Sequence, residues 1–217
     1  MEFNSYIDHT LLTPDATEQQ IDRVVKEAID NNFHTVMVNP YWVTKIHKRL
    51  ASTPVKTACV IGFPLGANTT ATKVFEATDA IQNGADELDM VMNIGEMKAG
   101  HFDKVSQDIQ AVVDTCHKAG KLIKVIIETC LLTDDEISKA ASIVAKTGAD
   151  FVKTSTGFST AGATTSAVRI MADATRGTGT AVKASGGIHS PEEAQAMIDA
   201  GATRLGVSHS LAVIRKD

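Results

Sequence analysis

The chain has 217 residues, of which 43% are hydrophobic and 22% are charged, a composition typical of an ordinary globular protein. Its formal net charge of −5 argues against nucleic acid as a main partner, because binding to a phosphate backbone depends on clustered Lys and Arg. No apolar run approaches the roughly 18 residues that a membrane span requires, so we expect no membrane partner. The length fits one large domain, and we expect residues 1–217 to form it.

Short runs of apolar and β-branched residues alternate along the chain with longer stretches of helical period. The predicted strands are, in chain order, residues 6–9, 35–38, 56–61, 87–91, 124–128, 151–154, 181–184 and 204–207. The predicted helices lie near residues 18–31, 41–50, 70–83, 102–119, 134–146, 163–175, 191–200 and 210–215. A capping box is predicted at Thr17 and Gln20, and Ser190 before Pro191 marks another helix start.

Eight strands that alternate with eight helices predict an α/β fold, a single closed (β/α)8 TIM barrel. An open, doubly wound sheet is the competing arrangement. It is disfavoured because neither GxGxxG nor GxxxxGK[ST] follows the first predicted strand.

Three charged residues interrupt predicted strands that should be almost wholly apolar if both of their faces are buried. Lys153 and Lys183 lie on consecutive strands, and Asp89 lies on an earlier strand. A lone strand lysine is usually a surface residue, and a lone Asp can be a partner in a structural ion pair. The agreement of all three favours a site at the mouth of the barrel, where barrel enzymes build their active sites.

These residue types are suited to Schiff-base carbon–carbon chemistry. A lysine with the ordinary pKa of ~10.4 is protonated at neutral pH and cannot attack a carbonyl. A second ammonium and an apolar wall would lower that pKa, and a nearby carboxylate could relay protons. An imine is its own electron sink, so we expect no metal and no organic cofactor. The histidines show no HxH or HxxxH spacing that would indicate a metal site.

The loops after the last three strands are rich in glycine and hydroxyl side chains. Lys153 is followed by Thr-Ser-Thr-Gly157, Lys183 by Ala-Ser-Gly-Gly187, and the final strand runs into Ser208. In β/α barrels, phosphate groups often bind between the loops after strands seven and eight. The pattern therefore favours a phosphorylated substrate, although any one of these loops alone reads as an ordinary turn.

The cysteine pattern favours a reducing compartment. Three cysteines are scattered without a CxxC spacing, and the first residues show no signal peptide pattern. We therefore expect a cytoplasmic protein.

Seven segments in order resemble the deoxyribose-phosphate aldolase family, from about residue 6 to residue 213. They are IDHTLL (7–12), VNP (38–40), VIGFPLG (60–66), ELDMVMN (87–93), KVIIET (124–129), FVKTSTGF (151–158) and VKASGGI (182–188). The family consists of (β/α)8-barrel class I aldolases that reversibly cleave 2-deoxy-D-ribose 5-phosphate to D-glyceraldehyde 3-phosphate and acetaldehyde. The resemblance thus implies phosphosugar and aldehyde substrates, a role in deoxyribose catabolism, and a homodimer.

The resemblance also implies roles for individual residues. Lys153 becomes the Schiff-base lysine, Lys183 the lysine that perturbs it, and Asp89 the proton-relay carboxylate. The implied substrate-binding residues are Asp8 and Thr156 near the sugar, and Gly157, Gly186, Gly187, Gly206 and Ser208 on the phosphate loops.

Two positions depart from the family pattern. Met37 stands where the family commonly has a cysteine linked to inactivation by aldehydes, which implies greater aldehyde tolerance. His209 follows Ser208 where the family often has serine or alanine, so the phosphate contacts are expected to differ in detail.

Two other functions are compatible with the same residues. One is a phosphosugar isomerase that uses Lys153 only as a charge and needs a general base such as Glu128. The other is a barrel that binds a phosphosugar without turnover.

Overall fold

The computed structural model describes residues 3–215, and eight parallel strands form a closed barrel at its centre. Residues 1, 2, 216 and 217, at the ends of the predicted 1–217 domain, lie outside the described residues. The strands are β1 (Ile7–Leu11), β2 (Thr35–Val38), β3 (Lys56–Ile61), β4 (Glu87–Val91), β5 (Leu122–Ile126), β6 (Phe151–Lys153), β7 (Ala181–Ser185) and β8 (Arg204–Val207).

Each strand pairs with the next one in the sequence, and β8 closes the barrel on β1. At this closure Ile7 is in register with Leu205, and His9 is in register with Val207. An open sheet would leave these two strands unpaired at its edges. The predicted (β/α)8 barrel is therefore confirmed, and the doubly wound alternative is wrong.

Helices surround the barrel and connect its strands. They are α1 (Glu18–Asp30), α2 (Val43–Leu50), α3 (Thr70–Gln82), α4 (Ile94–Lys98), α5 (Phe102–Lys118), α6 (Asp134–Lys146), α7 (Thr165–Ala174), α8 (Pro191–Asp199) and α9 (Ser210–Val213). Within residues 3–215, no helix combines the length and the apolar character needed to cross a membrane.

Some element boundaries differ from the predicted ones for local reasons. β1 begins at Ile7 rather than at residue 6 because Asn4–Tyr6 form a 3-10 turn. β5 spans Leu122–Ile126 rather than 124–128, since Glu128 has a left-handed backbone with φ of 53° that cannot continue a strand. The last helix ends at Val213 instead of residue 215.

The short helix α4 was not predicted from the sequence. It has only five residues, and Met97 is its one buried side chain. So short a segment shows no apolar period that could distinguish it from a loop.

The two faces of the barrel wall have different compositions. Alternate strand residues, such as Leu88 and Met90 in β4, belong to the main apolar core that the strands form with the helices. The intervening residues face the barrel interior, because successive strand side chains point to opposite faces. Burying a large apolar side chain contributes about 1.5–3 kcal/mol, so the outer face supplies stability while the inner face is free to carry polar groups.

Two predicted helix starts are confirmed in atomic detail. The Thr17 side chain accepts a hydrogen bond from the backbone N–H of Gln20, whose side chain accepts one from the backbone N–H of Thr17. Ser190 and Glu193 form the same reciprocal cap at α8, with Pro191 in the first helical turn. These caps satisfy backbone donors that a helix cannot pair internally.

An ion pair is buried between α3 and α5. The Lys73 ammonium lies 2.6 Å from one carboxylate oxygen of Asp108, and the Thr70 hydroxyl donates to the other oxygen at 2.8 Å. The Lys73 stem passes so close to Gly62 that a Cβ there would lie 3.0 Å from Lys73 Cε. The pair therefore joins two helices and supports the loop that follows β3.

We expect Asp108→Ala to lower the free energy of unfolding by about 3–5 kcal/mol, because it leaves a buried ammonium without a counter-charge. Urea denaturation measures this loss. Asp30→Ala is the control, since it removes the partner of Lys26 in an exposed pair with the same 2.6 Å separation and should cost less than about 1 kcal/mol. Equal losses in the two variants would contradict a special role for the buried pair.

Candidate active site

The two strand lysines and the strand aspartate meet inside the barrel. Lys153, the last residue of β6, is in register with Lys183 of β7. Both ammonium groups bind the same oxygen of Asp89, with Nζ–Oδ2 distances of 2.9 Å for Lys153 and 2.8 Å for Lys183. The structure thus brings together the three residues that the strand pattern selected.

Asp8 lies within the same charged cluster and is completely buried. One carboxylate oxygen accepts a hydrogen bond from the Lys183 ammonium, and the other accepts one from Arg204 Nη1 at 2.9 Å. Asp8 is therefore held from both sides by cations. It fixes the position of Lys183, which in turn contacts Asp89.

Three members of the cluster were not predicted from the sequence. Lys124 donates to Asp89 Oδ1 at 2.9 Å and to Glu87 Oε2 at 2.6 Å, and Arg204 donates to the same Glu87 oxygen at 2.9 Å. Lys124 carries the signal that identified the other two lysines, since it interrupts an apolar strand. The predicted strand begins at this residue, whereas in the structure Lys124 is the third residue of β5 and is fully buried.

The cluster contains one basic group more than acidic groups. Four cationic side chains face three carboxylates, and all of them are buried: Lys124, Lys153, Lys183 and Arg204 against Asp8, Glu87 and Asp89. A buried charge without a partner is strongly disfavoured. Removing one proton from a lysine would leave three positive and three negative charges. The electrostatic surroundings of each lysine determine which one loses its proton.

Lys153 is the lysine whose charged form is disfavoured. Burial lowers its pKa most, the Asp89 carboxylate opposes this in part, and the ammonium groups of Lys183 and Lys124 lower it further, to about 8. The surroundings of Lys124 act in the opposite direction. Burial alone would lower the pKa of Lys124, but the Asp89, Glu87 and Asp8 carboxylates hold it above its ordinary value.

Asp89 stays ionised at neutral pH. Burial by itself would raise the pKa of this carboxyl, but the surrounding ammonium groups of Lys124, Lys153 and Lys183 hold it well below its usual range. The carboxylate can therefore accept hydrogen bonds from a water or a substrate hydroxyl beside Lys153.

Glu128 holds the loop that follows Lys153. Its carboxylate accepts hydrogen bonds from the backbone N–H of Thr156 and from the Thr156 hydroxyl. That hydroxyl also accepts one from the backbone N–H of Phe158 at 3.0 Å. Because its proton is donated to Glu128, the Thr156 hydroxyl can offer an incoming ligand only its remaining lone pair.

The predicted phosphate loops lie against one another at the barrel mouth. The backbone N–H of Ala163 donates to the carbonyls of Ser185 and Gly186 at 3.1 and 3.0 Å. Gly162 is packed so closely that a Cβ there would lie 2.2 Å from the Gly186 carbonyl oxygen. This contact joins the loop between β6 and α7 to the loop between β7 and α8.

The remaining predicted phosphate-loop residues occupy the same mouth. Gly157, Gly186 and Gly187 have φ values of 83°, 80° and 76°, and Ser208 is exposed directly after β8. Gly206 lies in register with Ser185 and above Lys183, whose Cε would be 3.1 Å from a Cβ at position 206. A side chain at Gly206 would therefore narrow the route to the lysine pair.

The opposite side of the barrel interior is apolar. Leu12, Met37, Ala58 and Val60 form a separate buried cluster against which Phe63 packs. Val60 of β3 is in register with Asp89 of β4, so this apolar surface borders the charged cluster. The interior thus has an apolar wall and an ionic wall, and the two meet where Val60 lies beside Asp89.

Comparisons with known proteins find a matching family and relatives of similar length. A family model described as DeoC/LacD family aldolase matches residues 4–214. The chain is 64% identical over 216 residues to the deoxyribose-phosphate aldolase of Lactiplantibacillus plantarum, with 100% of both chains covered. It is 54% identical over 214 residues to that of Enterococcus faecalis, covering 99% of this chain and 96% of the relative.

A solved structure of lower sequence identity shares the architecture. The deoxyribose phosphate aldolase of Aeropyrum pernix, described as a unique tetrameric structure, superposes with a TM-score of 0.91 at 35% identity. The match covers 98% of this chain and 89% of that one.

The reactivity of Lys153 toward small aldehydes should follow its lowered pKa. We expect its rate of reductive methylation to rise with pH and to level off near about 8, whereas surface lysines continue to gain reactivity toward their ordinary pKa of ~10.4. Peptide mass mapping after short pulses measures each lysine separately.

Lys183→Leu should move the Lys153 profile to higher pH, because it removes an ammonium that lowers the pKa of Lys153. Lys121→Leu is the matched control, since that lysine pairs with Asp86 outside the cluster and its loss should leave the profile in place. An unshifted profile in Lys183→Leu would refute the perturbing role.

Proposed function

Because the chain belongs to the DeoC/LacD family of aldolases, we propose that it reversibly cleaves 2-deoxy-D-ribose 5-phosphate into D-glyceraldehyde 3-phosphate and acetaldehyde through a Schiff base on Lys153. The observation that carries the proposal is a buried primary amine with a pKa of about 8, 2.9 Å from a carboxylate. At pH 7 such an amine is neutral about one time in ten, against roughly one in three thousand at a pKa of 10.5.

The reaction begins with the free amine. Neutral Lys153 attacks the C1 aldehyde of the open-chain sugar, and the carbinolamine loses water to give an iminium ion. Lys183 and Asp8 act here by position, since Asp8 holds the Lys183 ammonium beside Lys153. That ammonium disfavours a second positive charge on the resting amine and so favours its nucleophilic form.

Bond cleavage then uses the iminium as the electron sink. The C3 hydroxyl gives up its proton toward Asp89, either directly or through a water. The C2–C3 electron pair moves to C2, which releases glyceraldehyde 3-phosphate and leaves an enamine on Lys153. Protonation at C2 and addition of water free acetaldehyde and restore the amine, so we propose that the reaction needs no metal and no organic cofactor.

The two walls of the barrel interior fit a 2-deoxy sugar. The C2 methylene has no hydroxyl to hydrogen-bond, so it can lie against the apolar wall next to Val60. A 2-hydroxyl would be buried there without a partner, which costs about 1–3 kcal/mol. The C3 hydroxyl lies on the ionic side, within reach of Asp89.

The isomerase alternative is not favoured by the chain's membership of the aldolase family. Glu128, the general base that an isomerase would need, binds the backbone N–H and the hydroxyl of Thr156 and so holds the loop after Lys153. The non-catalytic alternative does not account for a nucleophilic amine placed between two ammonium groups and a carboxylate.

We also propose a cytoplasmic location and a single domain over residues 1–217. The free state of all three cysteines, with Cys59 and Cys116 buried, supports a reducing compartment. The family resemblance supports a homodimer, and light scattering of the purified chain tests it against the tetramer described for the Aeropyrum pernix relative.

Borohydride reduction in the presence of acetaldehyde should trap an ethyl group on Lys153, as mapped by peptide mass spectrometry. Lys153→Ala should lose both the adduct and detectable cleavage of 2-deoxyribose 5-phosphate. Lys26→Ala, which changes an exposed lysine on α1, should retain both. A folded wild-type sample with no adduct on any lysine would reject the Schiff-base mechanism.

Asp89→Asn should lower kcat by about 10²–10⁴-fold, the range for removing a positioned acid–base group. Because the imine forms on Lys153 itself, some borohydride trapping should persist in this variant. Stopped-flow mixing with 2-deoxyribose 5-phosphate measures the step after imine formation. A variant with normal kcat would exclude Asp89 from the proton relay.

A further inference from the structure

The first and last strands of the barrel meet at a seam that is held by noncovalent contacts alone. β1 lies beside β8, with Asp8 in register with Gly206 and His9 in register with Val207. Every other pair of neighbouring strands is also joined by the stretch of chain between them. The barrel therefore closes only as well as the side chains and the backbone hydrogen bonds hold this seam.

The layer of helices is thin over the seam. The segment that follows β8, α9, has four residues, whereas α1 and α8 on either side of it have 13 and 9 residues. A groove of about 850 Å³ opens between α1 and α8, and its lining includes Asn31, Asp199 and Val213. A short turn of helix thus stands where a longer helix would cover the seam with apolar side chains.

A buried histidine links the elements that meet at the seam. His9 is 2% exposed and points away from the barrel interior, on the same face of β1 as Ile7 of the apolar core. Its Nε2 lies 2.8 Å from Glu27 Oε2 on α1, and its Nδ1 lies 2.8 Å from the Ser210 hydroxyl on α9. That hydroxyl also lies 3.1 Å from the carbonyl oxygen of Val207, the last residue of β8. We call His9, Glu27 and Ser210 the seam clasp.

The ring of His9 is neutral at neutral pH and uses both of its nitrogens. A carboxylate only accepts hydrogen bonds, so Nε2 carries a proton that it donates to Glu27. Burial lowers the pKa of His9, and the hydrogen bond to Glu27 opposes this in part. In the neutral ring Nδ1 is an acceptor, and the Ser210 hydroxyl donates to it. The other charged group at this carboxylate is Arg23, whose Nε lies 3.7 Å from Glu27 Oε1.

Serine, histidine and glutamate are also the residue types of a hydrolase triad. Here the Ser210 side chain is completely buried, and its oxygen lies against the Val207 carbonyl. A substrate carbonyl cannot reach that oxygen, so the arrangement holds the fold together and does not hydrolyse esters.

The inner face of the same seam carries part of the charged cluster. Asp8 directly precedes His9, and its carboxylate accepts a hydrogen bond across the seam from Arg204 Nη1 at 2.9 Å. The other oxygen of Asp8 accepts one from the Lys183 ammonium. A shift of β1 against β8 would therefore move the partner of Lys183 and change the positive charge beside Lys153.

We infer that the seam clasp fixes β1 against β8 and so makes His9 a positioning residue for the Lys153 amine. His9 touches no reacting atom, and it acts through Asp8 and Lys183 on the other side of the strand. The inference rests on the proposed function, because the amine in question is the nucleophile of that reaction.

Ser210→Ala opens the clasp by removing a single oxygen atom. We expect the pH at which reductive methylation of Lys153 levels off, about 8 in wild type, to rise by about 0.5–1 unit. The reason is that Lys183 is held less firmly and water reaches the amine, and both changes raise the pKa of Lys153. Peptide mass mapping after short pulses measures the profile.

Ser142→Ala is the matched control for this variant. The Ser142 hydroxyl also donates to a backbone carbonyl, that of Ser138 at 2.9 Å, but it lies within α6 and away from the seam. Its loss should leave the Lys153 profile in place. A folded Ser210→Ala protein with an unchanged Lys153 profile would overturn the proposal.

Two substitutions of His9 separate the two arms of the clasp. The side-chain amide of asparagine can take the place of Nδ1, and that of glutamine can take the place of Nε2. His9→Asn should therefore keep the contact with Ser210 and a Lys153 profile close to that of wild type. His9→Gln should keep only the contact with Glu27, and its profile should shift as in Ser210→Ala. Equal shifts in the two His9 variants would reject the clasp.

Hydrogen exchange separates this inference from the proposed function. In Ser210→Ala the amides of α9 and of the end of β8 should exchange about tenfold faster, while those of α6 keep their wild-type rates. A uniform rise over the whole barrel would indicate general destabilisation and would overturn the proposal. The measurement needs no sugar, so localised exchange in a protein that fails to cleave 2-deoxyribose 5-phosphate would support the clasp and reject only the aldolase assignment.

Discussion

The structure depends on the burial of an unequal set of charges inside the barrel. Four cations and three carboxylates occupy a space from which water is largely excluded, and each ion there costs several kcal/mol of desolvation unless it is paired. Lys124 is paired with Glu87 and Asp89, and Arg204 with Glu87 and Asp8. Lys183 is paired with Asp8 and Asp89, which leaves Lys153 to share an oxygen that is already bound. The nucleophile is thus the cation whose proton is least well compensated, and its loss makes the cluster neutral.

The fold tolerates this interior because its stability comes from elsewhere. The apolar core lies between the outer face of the strands and the helices, and it includes outward-facing residues from all eight strands. Inward-facing positions on β1, β4, β5, β6, β7 and β8 take no part in this outer core and hold ionisable groups. The inward-facing side chains of β2 and β3 include the apolar wall. A substrate that enters the mouth therefore meets a surface divided according to polarity. That division matches a sugar with a methylene at C2 and a hydroxyl at C3.

The extent of prediction from sequence followed a physical rule. Lys153, Lys183 and Asp89 were identifiable because each places a charge within an apolar strand, and a buried charge is costly unless it is paired. The closed barrel was identifiable from eight regular repeats of strand and helix. Lys124 satisfies the same rule but was missed, since a strand boundary displaced by two residues turned a buried position into an end position. Glu87 and Arg204 sit at true strand starts, where charge carries no signal. The left-handed backbone of Glu128 could not be predicted from the sequence either, because this conformation is stabilised by contacts with Thr156, 28 residues away.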